Sequence, residues 1–248
     1  MGRFMGFAAS ISSTAPPSSD GAIRREFEVP WVGVAGICLL GLAFFADPWC
    51  TGCFHLPAGT PLRDLASFIS HWMDWPWVLG GVGVAILVAQ VSRNFPVRRH
   101  LTALLLAGAV IGVSATLIRC VTGRTRPSAP VAQGWYGPRH EGRWLLGVRD
   151  YNAFPSGHTA TVAGMAALLI VRRRRLAPVA VALTVLVAWA RLAVGAHRLS
   201  DVLAAVLVAA LMIRFLEKWL PGNSITEARP AQDAGQPVDG GVGSARTA

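Results

Sequence analysis

Apolar residues in this chain come in long unbroken runs, separated by short clusters of polar and charged positions. The runs approach the roughly 20 residues that a helix needs to cross a hydrocarbon core, and they are too long for barrel strands. They predict helices at about 30–46, 76–92, 101–118, 157–171, 177–195 and 200–217, which makes six crossings. A further segment, 61–75, sets Leu62, Leu65, Phe68, Ile69 and Trp72 at helical spacing with Asp64 and Ser67 elsewhere, the pattern of a helix lying in an interface. The predicted fold is therefore all-α: an integral membrane bundle of six transmembrane helices with an interfacial helix in its first outward loop. The Ser-, Pro- and Ala-rich stretch 1–26 has no apolar core long enough for a signal peptide. It and the Gly-, Pro- and Ala-rich stretch 219–248 are expected to be disordered cytoplasmic tails around a membrane domain at 27–218. Gly80, Gly81 and Gly83 read as a site of close helix packing rather than a nucleotide loop.

Composition agrees with the pattern. Hydrophobic residues make up 53% of the 248 positions and charged ones 15%, with a mean hydropathy of +0.46, outside the soluble range. The net charge of +10 raises the question of nucleic acid, but the arginines sit in particular loops rather than along one soluble face, so no nucleic-acid partner is expected. Arg24 and Arg25, then Arg93, Arg98 and Arg99, then Arg172, Arg173, Arg174 and Arg175, and finally Arg214 and Lys218 share one side of a six-helix topology. The positive-inside rule makes that side the cytoplasm. Both termini then lie inside a cytoplasmic (inner) membrane, and the loops 47–75, 119–156 and 196–199 face outward. The loop 119–156 breaks the rule with Arg119, Arg124, Arg126, Arg139, Arg143 and Arg149, which implies an anionic ligand on the outer face.

Three polar clusters fall on that side. In RCVTGRTRPSAP, residues 119–130, Arg119 and Arg126 are seven apart, two helical turns, so both planar forks can project from one face toward a phosphate. In Pro155-Ser156-Gly157-His158, the proline suits a first helical turn. The amides after it are free donors at the positive end of the helix dipole, and the glycine allows an anion close to the backbone. In ARLAVGAHRLSD, residues 190–201, His197 and Asp201 are four apart; the carboxylate can bind one imidazole nitrogen and leave the other outward as a nucleophile or base. Each cluster has a plainer reading: a snorkelling arginine pair, a Ser-capped helix start, and an Asp201 that only caps the last helix beside Ser200. Their convergence on one side argues for a shared phosphoryl site.

These residues resemble the type 2 phosphatidic acid phosphatases, whose pattern is a basic residue, six positions, then Arg-Pro; Pro-Ser-Gly-His; and Arg, five positions, His, three positions, Asp. The matches are Arg119 with Arg126-Pro127, then Pro155 to His158, then Arg191 with His197 and Asp201, from about residue 76 to 217. Two positions depart: Arg119 stands where lysine is common, and Ala190 where a serine commonly precedes the arginine. The resemblance implies a membrane phosphatase in which His197 attacks phosphorus and Asp201 fixes its tautomer. His158 serves as acid and then base, and Arg119, Arg126, Arg191, Ser156 and Gly157 hold the phosphoryl oxygens. It implies no metal and no cofactor. The expected partners are membrane lipids and a lipid phosphate substrate; undecaprenyl pyrophosphate, phosphatidylglycerophosphate, phosphatidate and a lipid A phosphate all fit, and the sequence does not assign an oligomeric state. A lipid phosphotransferase would carry the same residues. A vanadate-dependent haloperoxidase or a lipid-binding protein without turnover fits less well.

The remaining motifs read as structural. WCTGC, residues 49–53, has the spacing of a redox pair but not its βαβ context, so a local disulfide or two free thiols is expected for Cys50 and Cys53. Cys38 and Cys120 read as small packing residues, and His55, His71, His100 and His140 as surface or interfacial ones.

Overall fold

The computed structural model describes residues 20–221, with side chains from residue 33 onward. Seven helices carry the fold: α1 Asp20–Phe54, α2 Pro61–Trp72, α3 Trp75–Val91, α4 Phe95–Thr122, α5 Gly157–Arg172, α6 Ala177–Ala193 and α7 Leu199–Leu216. The loop between α4 and α5 holds a two-residue antiparallel ladder, Arg139–His140 with Arg143–Trp144. The all-α class and the interfacial-type helix α2 are as expected. Of the two expected tails, residues 1–19 and 222–248 lie outside the described residues, and residues 20–26 are the first turns of α1.

Four helical stretches are each long and apolar enough to cross a membrane: Gly33–Phe54, Phe95–Thr122, Arg174–Ala193 and Leu199–Trp219. Helices α2 and α3 reach that length only together and meet at a 54° bend, while α5, at 16 residues, is shorter. The bend follows from local chemistry. Asp74 caps α3, accepting from the Trp75 amide at 2.8 Å, and Pro76 in the first turn cannot continue α2. Helix α1 outruns its expected end at residue 46 by two turns. Beyond that end, Asp47 is a buried ion-pair partner and Pro48 is accommodated within the helix.

The large exposed side chains are apolar, with Phe45 at 88% and Val91 at 84% exposure, whereas the interior is built from alanines. That inversion suits a bundle whose solvent is lipid, where helices associate through small residues that let backbones approach. Ala103, Ala107, Ile111 and Ala115 of α4 pack on Ala160, Ala163 and Leu168 of α5 and on Ala205, Ala209 and Ile213 of α7. The close-packed glycines are Gly108, Gly112 and Gly164 on the α4–α5 seam, where a Cβ on Gly112 would come 2.4 Å from Thr161 Oγ1. The expectation for Gly80, Gly81 and Gly83 is not met. A Cβ there would meet nothing within 4 Å, because Gly80 and Gly81 lie on the exposed face of α3.

Two sets of helix ends gather at opposite ends of the bundle. At one, Leu56 N–H bonds Ala193 O at 3.0 Å, Ser128 N–H bonds Gly195 O at 3.2 Å, and Ser156 N–H bonds Asp201 O at 3.0 Å. These bonds tie the segments after α1 and α4 to the end of α6, and the start of α5 to the start of α7, bringing the three polar clusters together. At the other end Arg172 donates to Pro221 O at 2.7 Å and Leu220 O at 3.1 Å, locking α5 to the end of α7.

Because the α4–α5 seam is filled to contact, Gly112→Leu should destabilise the protein by about 1–3 kcal/mol, whereas Gly81→Leu should stay within about 0.5 kcal/mol. Thermal unfolding of the two variants in one detergent measures the contrast.

Candidate active site

The first cluster is assembled by a turn, not by a shared helix face. Helix α4 ends at Thr122, and Gly123 adopts the left-handed cap with φ of 58°. No other residue fits there, since a Cβ would sit 2.0 Å from Gly137 O. Arg119 therefore projects from the last turn of α4, while Arg126 returns from the loop beyond it, its amide donating to Asp150 O at 2.8 Å. The two-turn spacing expected from the sequence is coincidental, although both guanidinium groups reach the same region.

Arg119 lies against Gly157, where a Cβ would meet its Nη1 at 3.0 Å. The glycine thus makes room for an arginine at the start of α5. Pro155 stands one residue before the N-cap, Ser156, rather than in the first turn. Ser156 is fully buried, and its Oγ accepts from Thr159 Oγ1 at 3.0 Å, leaving its own proton free to donate. Arg191, in the last turn of α6, is 7% exposed and donates through Nη1 to Ser70 Oγ of α2. Ala190 packs on Ala66 and Ala193, so the position of the absent hydroxyl is filled by the α2–α6 contact.

His197 is 2% exposed and lies in the turn between α6 and α7. Its Nδ1 is 2.7 Å from Ala153 O. A carbonyl only accepts, so Nδ1 carries the proton and Nε2 keeps its lone pair. The expected carboxylate partner stands back: Asp201 Oδ2 is 3.8 Å from Nδ1. Its oxygens are taken by Arg124 Nη1 at 2.6 Å and by the Arg198 amide at 2.7 Å, the latter forming a capping box on α7. The tautomer is thus set by a backbone carbonyl, with Asp201 at one remove as the nearby negative charge. Burial, and then the positive charges of Arg191, Arg126, His158 and Arg119, hold the imidazole well below its ordinary pKa, so it is neutral at neutral pH.

His158 Nε2 lies 3.0 Å from Asp74 Oδ1. Asp74 escaped the sequence reading, although its place before Trp75-Pro76 is a helix-start signal that would have located it. Asp47 escaped as well, and Arg124, one of the six arginines expected to face an anionic ligand, is paired within the protein instead. Arg124 is 7% exposed, bridges Asp47 Oδ2 and Asp201 Oδ1 at 2.6 Å each, and sits among the rings of Phe44, Trp135 and Phe154 at 5.1, 4.8 and 5.9 Å. Asp47 also accepts from the Ser200 amide and hydroxyl at 2.9 and 2.6 Å. Nothing in the local sequence marks this triad, whose members are brought together from α1, the α4 loop and α7.

Six buried side-chain nitrogen or oxygen atoms lack a partner among the described residues, and four of them are Nε of Arg119, Arg126 and Arg191 and Nε2 of His197. A buried orphan donor costs about 1–3 kcal/mol, and an anion would satisfy three at once. Cys50 and Cys53 are free thiols on the last turns of α1, and Cys38 and Cys120 are also free.

The family model of the PAP2 superfamily matches residues 96–225. The chain belongs to the PAP2 superfamily. It is a phosphatase built on helices long and apolar enough to cross a membrane. No curated protein matches the chain significantly. Among solved structures, the fold is similar to that of the transmembrane PAP2 type phosphatidylglycerolphosphate phosphatase from Bacillus subtilis. The identity there is 16% and the TM-score 0.54, over 76% of this chain and 96% of that one. LpxE from Aquifex aeolicus also matches, at 17% identity and a TM-score of 0.43, over 65% of this chain and 88% of that one.

Removing Arg124 would leave Asp47 and Asp201 buried without their cation. Arg124→Ala should therefore destabilise the protein by about 3–5 kcal/mol, measured as a large fall in the detergent melting temperature. Loss of a carboxylate partner disfavours a protonated histidine, so Asp74→Asn should move the alkaline limb of the pH–rate profile to lower pH. The acid limb, set by His197, should lie well below pH 6.5 in both proteins.

Proposed function

We propose that this protein hydrolyses a lipid phosphate or lipid pyrophosphate without a metal, through a phosphohistidine, at the outer face of a cytoplasmic membrane. The observation that carries the reading is a pair of cavities sharing one wall. A polar cavity of about 480 Å³ is lined by Arg126, Arg191, Arg149, Arg63, Asp74 and His158, among others. An apolar cavity of about 470 Å³ runs between α3, α4 and α5 past Leu79, Val113 and Leu117, and is bounded by the same Asp74 and His158 and by Arg119. A phosphate in the first and an acyl or prenyl tail in the second would place the scissile bond at His158. That geometry suits a lipid phosphate better than a soluble ester.

In the first half-reaction the Nε2 lone pair of His197 attacks phosphorus and the bond to the lipid oxygen breaks. Protonated His158, paired to Asp74 through Nε2, gives the proton on its other nitrogen to that oxygen, and the lipid leaves as an alcohol or as the lipid monophosphate. The imidazole bonded to phosphorus carries positive charge that Asp201 offsets at 3.8 Å while the Ala153 carbonyl keeps the ring in place. Arg119, Arg126 and Arg191, with Ser156 Oγ and the Gly157 amide, hold the phosphoryl oxygens and stabilise charge as it develops. In the second half-reaction neutral His158 takes a proton from water, the water oxygen bonds to phosphorus, and the P–N electron pair returns to Nε2. Inorganic phosphate is released.

Both termini would lie in the cytoplasm, with six crossings completed by the α2–α3 bend and by α5. Arg172 to Arg175 then lie inside, and the Arg119–Arg149 segment outside.

Phosphate release by the detergent-purified protein from the four candidate lipids, with EDTA present, tests the reading. His197→Ala should remain folded and release none, and His158→Ala should slow turnover by about 10²–10⁴-fold. Turnover abolished by EDTA, or wild-type rates in His197→Ala, would sink it. Phosphate recovered on a second lipid instead of in water would point to a phosphotransferase.

A further inference from the structure

Two arginines on the wall of the polar cavity have no part in the mechanism above. Arg149 lies on the 3-10 turn Arg149–Tyr151, and Arg63 on α2. With Arg126 and Arg191 they bring four guanidinium groups to one cavity of about 480 Å³, whose only lining carboxylate, Asp74, is engaged by His158. Arg63 Nη1 donates to Leu56 O at 2.6 Å, which fixes the side chain and leaves its remaining N–H groups for the cavity. Arg149 has no hydrogen bond or ion pair among the described residues.

The two lie toward solvent: Arg149 is exposed and Arg63 half-buried, whereas Arg191 and His197 are buried. Arg126 is lowered to about 10 by burial first, then by the charge of Arg149, and after that by Arg119. Arg149 is not among the charges that act most strongly on His197, which are Arg191, Arg126, His158 and Arg119. Arg149 therefore stands beside Arg126 at the exposed end of the cavity. One phosphoryl group has three non-bridging oxygens, and Arg119, Arg126 and Arg191 already serve them. Uncompensated cations sharing a partly desolvated wall repel one another, and a second anion removes that cost.

We propose that Arg149 and Arg63 form a second phosphate subsite at the aqueous mouth of the catalytic pocket, adjoining the one at His197. The inference rests on the function proposed above and extends it. The ligand is a phosphate dianion, held by guanidinium forks with Ser67 at the cavity wall. Two sources present that chemistry: inorganic phosphate leaving after hydrolysis, and the second phosphate of a doubly phosphorylated head group. The subsite also accounts for Arg149 in a segment where the positive-inside rule disfavours it.

The experiment uses full-length protein in detergent, with Arg149→Ala, Arg63→Ala and the double variant. Three quantities are measured: inhibition of lipid monophosphate turnover by inorganic phosphate, the ratio of kcat/KM for pyrophosphorylated and monophosphorylated forms of one lipid, and the rise in melting temperature with inorganic phosphate or pyrophosphate. If the subsite takes released phosphate, Arg149→Ala weakens phosphate inhibition by about tenfold and leaves the ratio as it was. If it takes a head-group phosphate, the ratio falls by about tenfold. Equal losses on both lipids, with phosphate inhibition as in wild type, overturn the proposal. The melting arm does not need turnover: it is repeated in a His197→Ala background, so a protein that hydrolyses neither lipid defeats the function reading while the subsite is still decided. There, a pyrophosphate-induced rise no smaller without Arg149 and Arg63 than with them overturns it.

Discussion

Everything at the working end of this protein is arranged around positive charge with too little negative charge to balance it. Arg119, Arg126 and Arg191 each bury an Nε that finds no partner among the described residues, and their charges converge on a neutral, desolvated His197. In a medium of low effective dielectric such an arrangement is costly. The cost is offset when a dianion enters, and it falls further as charge accumulates on the phosphoryl oxygens in the transition state. Burial, reinforced by that repulsion, keeps the His197 lone pair available, so the same desolvated, positively charged site would suit both the proposed nucleophile and its target.

Holding like charges together requires anchors that are themselves neutral or paired. Each arginine has one: Arg119 rests on Gly157 and bonds Thr116 Oγ1 at 2.9 Å, Arg191 is held by Ser70, and the Arg126 backbone is fixed by Asp150. Behind them the Asp47–Arg124–Asp201 triad ties α1 and α7 to the loop that carries Arg126. The triad has one more carboxylate than guanidinium, which leaves negative charge near His197, where the proposed mechanism would form an N-phosphorylated imidazolium. Arg198 tempers that charge and braces the loop, donating to Thr125 O at 2.6 Å. Helix α2 contributes Ser70 and Arg63 to the site while burying Ala66 on α6, so it is part of the pocket wall as well as an interfacial helix.

The sequence made the helices and the three motifs legible because both signals are local. Apolar runs report burial in lipid, and Arg119, Arg126, His158, Arg191, His197 and Asp201 stand at fixed short spacings. What was not legible depends on contacts across many residues. The two-turn spacing of Arg119 and Arg126 suggested a shared helix face, yet Gly123 ends the helix between them. The four-residue spacing of His197 and Asp201 suggested a hydrogen bond, yet Ala153, 44 residues away, supplies it. Asp74 pairs with a histidine 84 positions along the chain, and Asp47 with an arginine 77 positions along. Periodicity carries no information about such pairs. The alanine interior also hid its glycine contacts: Gly80, Gly81 and Gly83 were conspicuous by clustering, while Gly108, Gly112 and Gly164 pack one at a time against a neighbouring helix.

The shared wall of the two cavities gives the position of His158 a meaning under the proposed function. A lipid phosphate is an amphiphile whose reacting bond lies at the junction of its polar and apolar parts, and a site for it needs a proton donor at that junction. His158 is at the first turn of α5, flanked by the polar cavity on one side and the α3–α4 groove on the other. The Asp74 carboxylate that orients it comes from the bend between α2 and α3, the point where the chain turns from an amphipathic helix to one of unbroken apolar residues. The bend therefore does two things with one oxygen: Asp74 Oδ1 accepts from the Trp75 amide, which starts the apolar helix that lines the tail groove, and lies 3.0 Å from His158 Nε2 at the junction. On the proposed function, a hydrolysed lipid would be left in the groove and phosphate in the arginine-lined cavity, so the two products would occupy separate spaces.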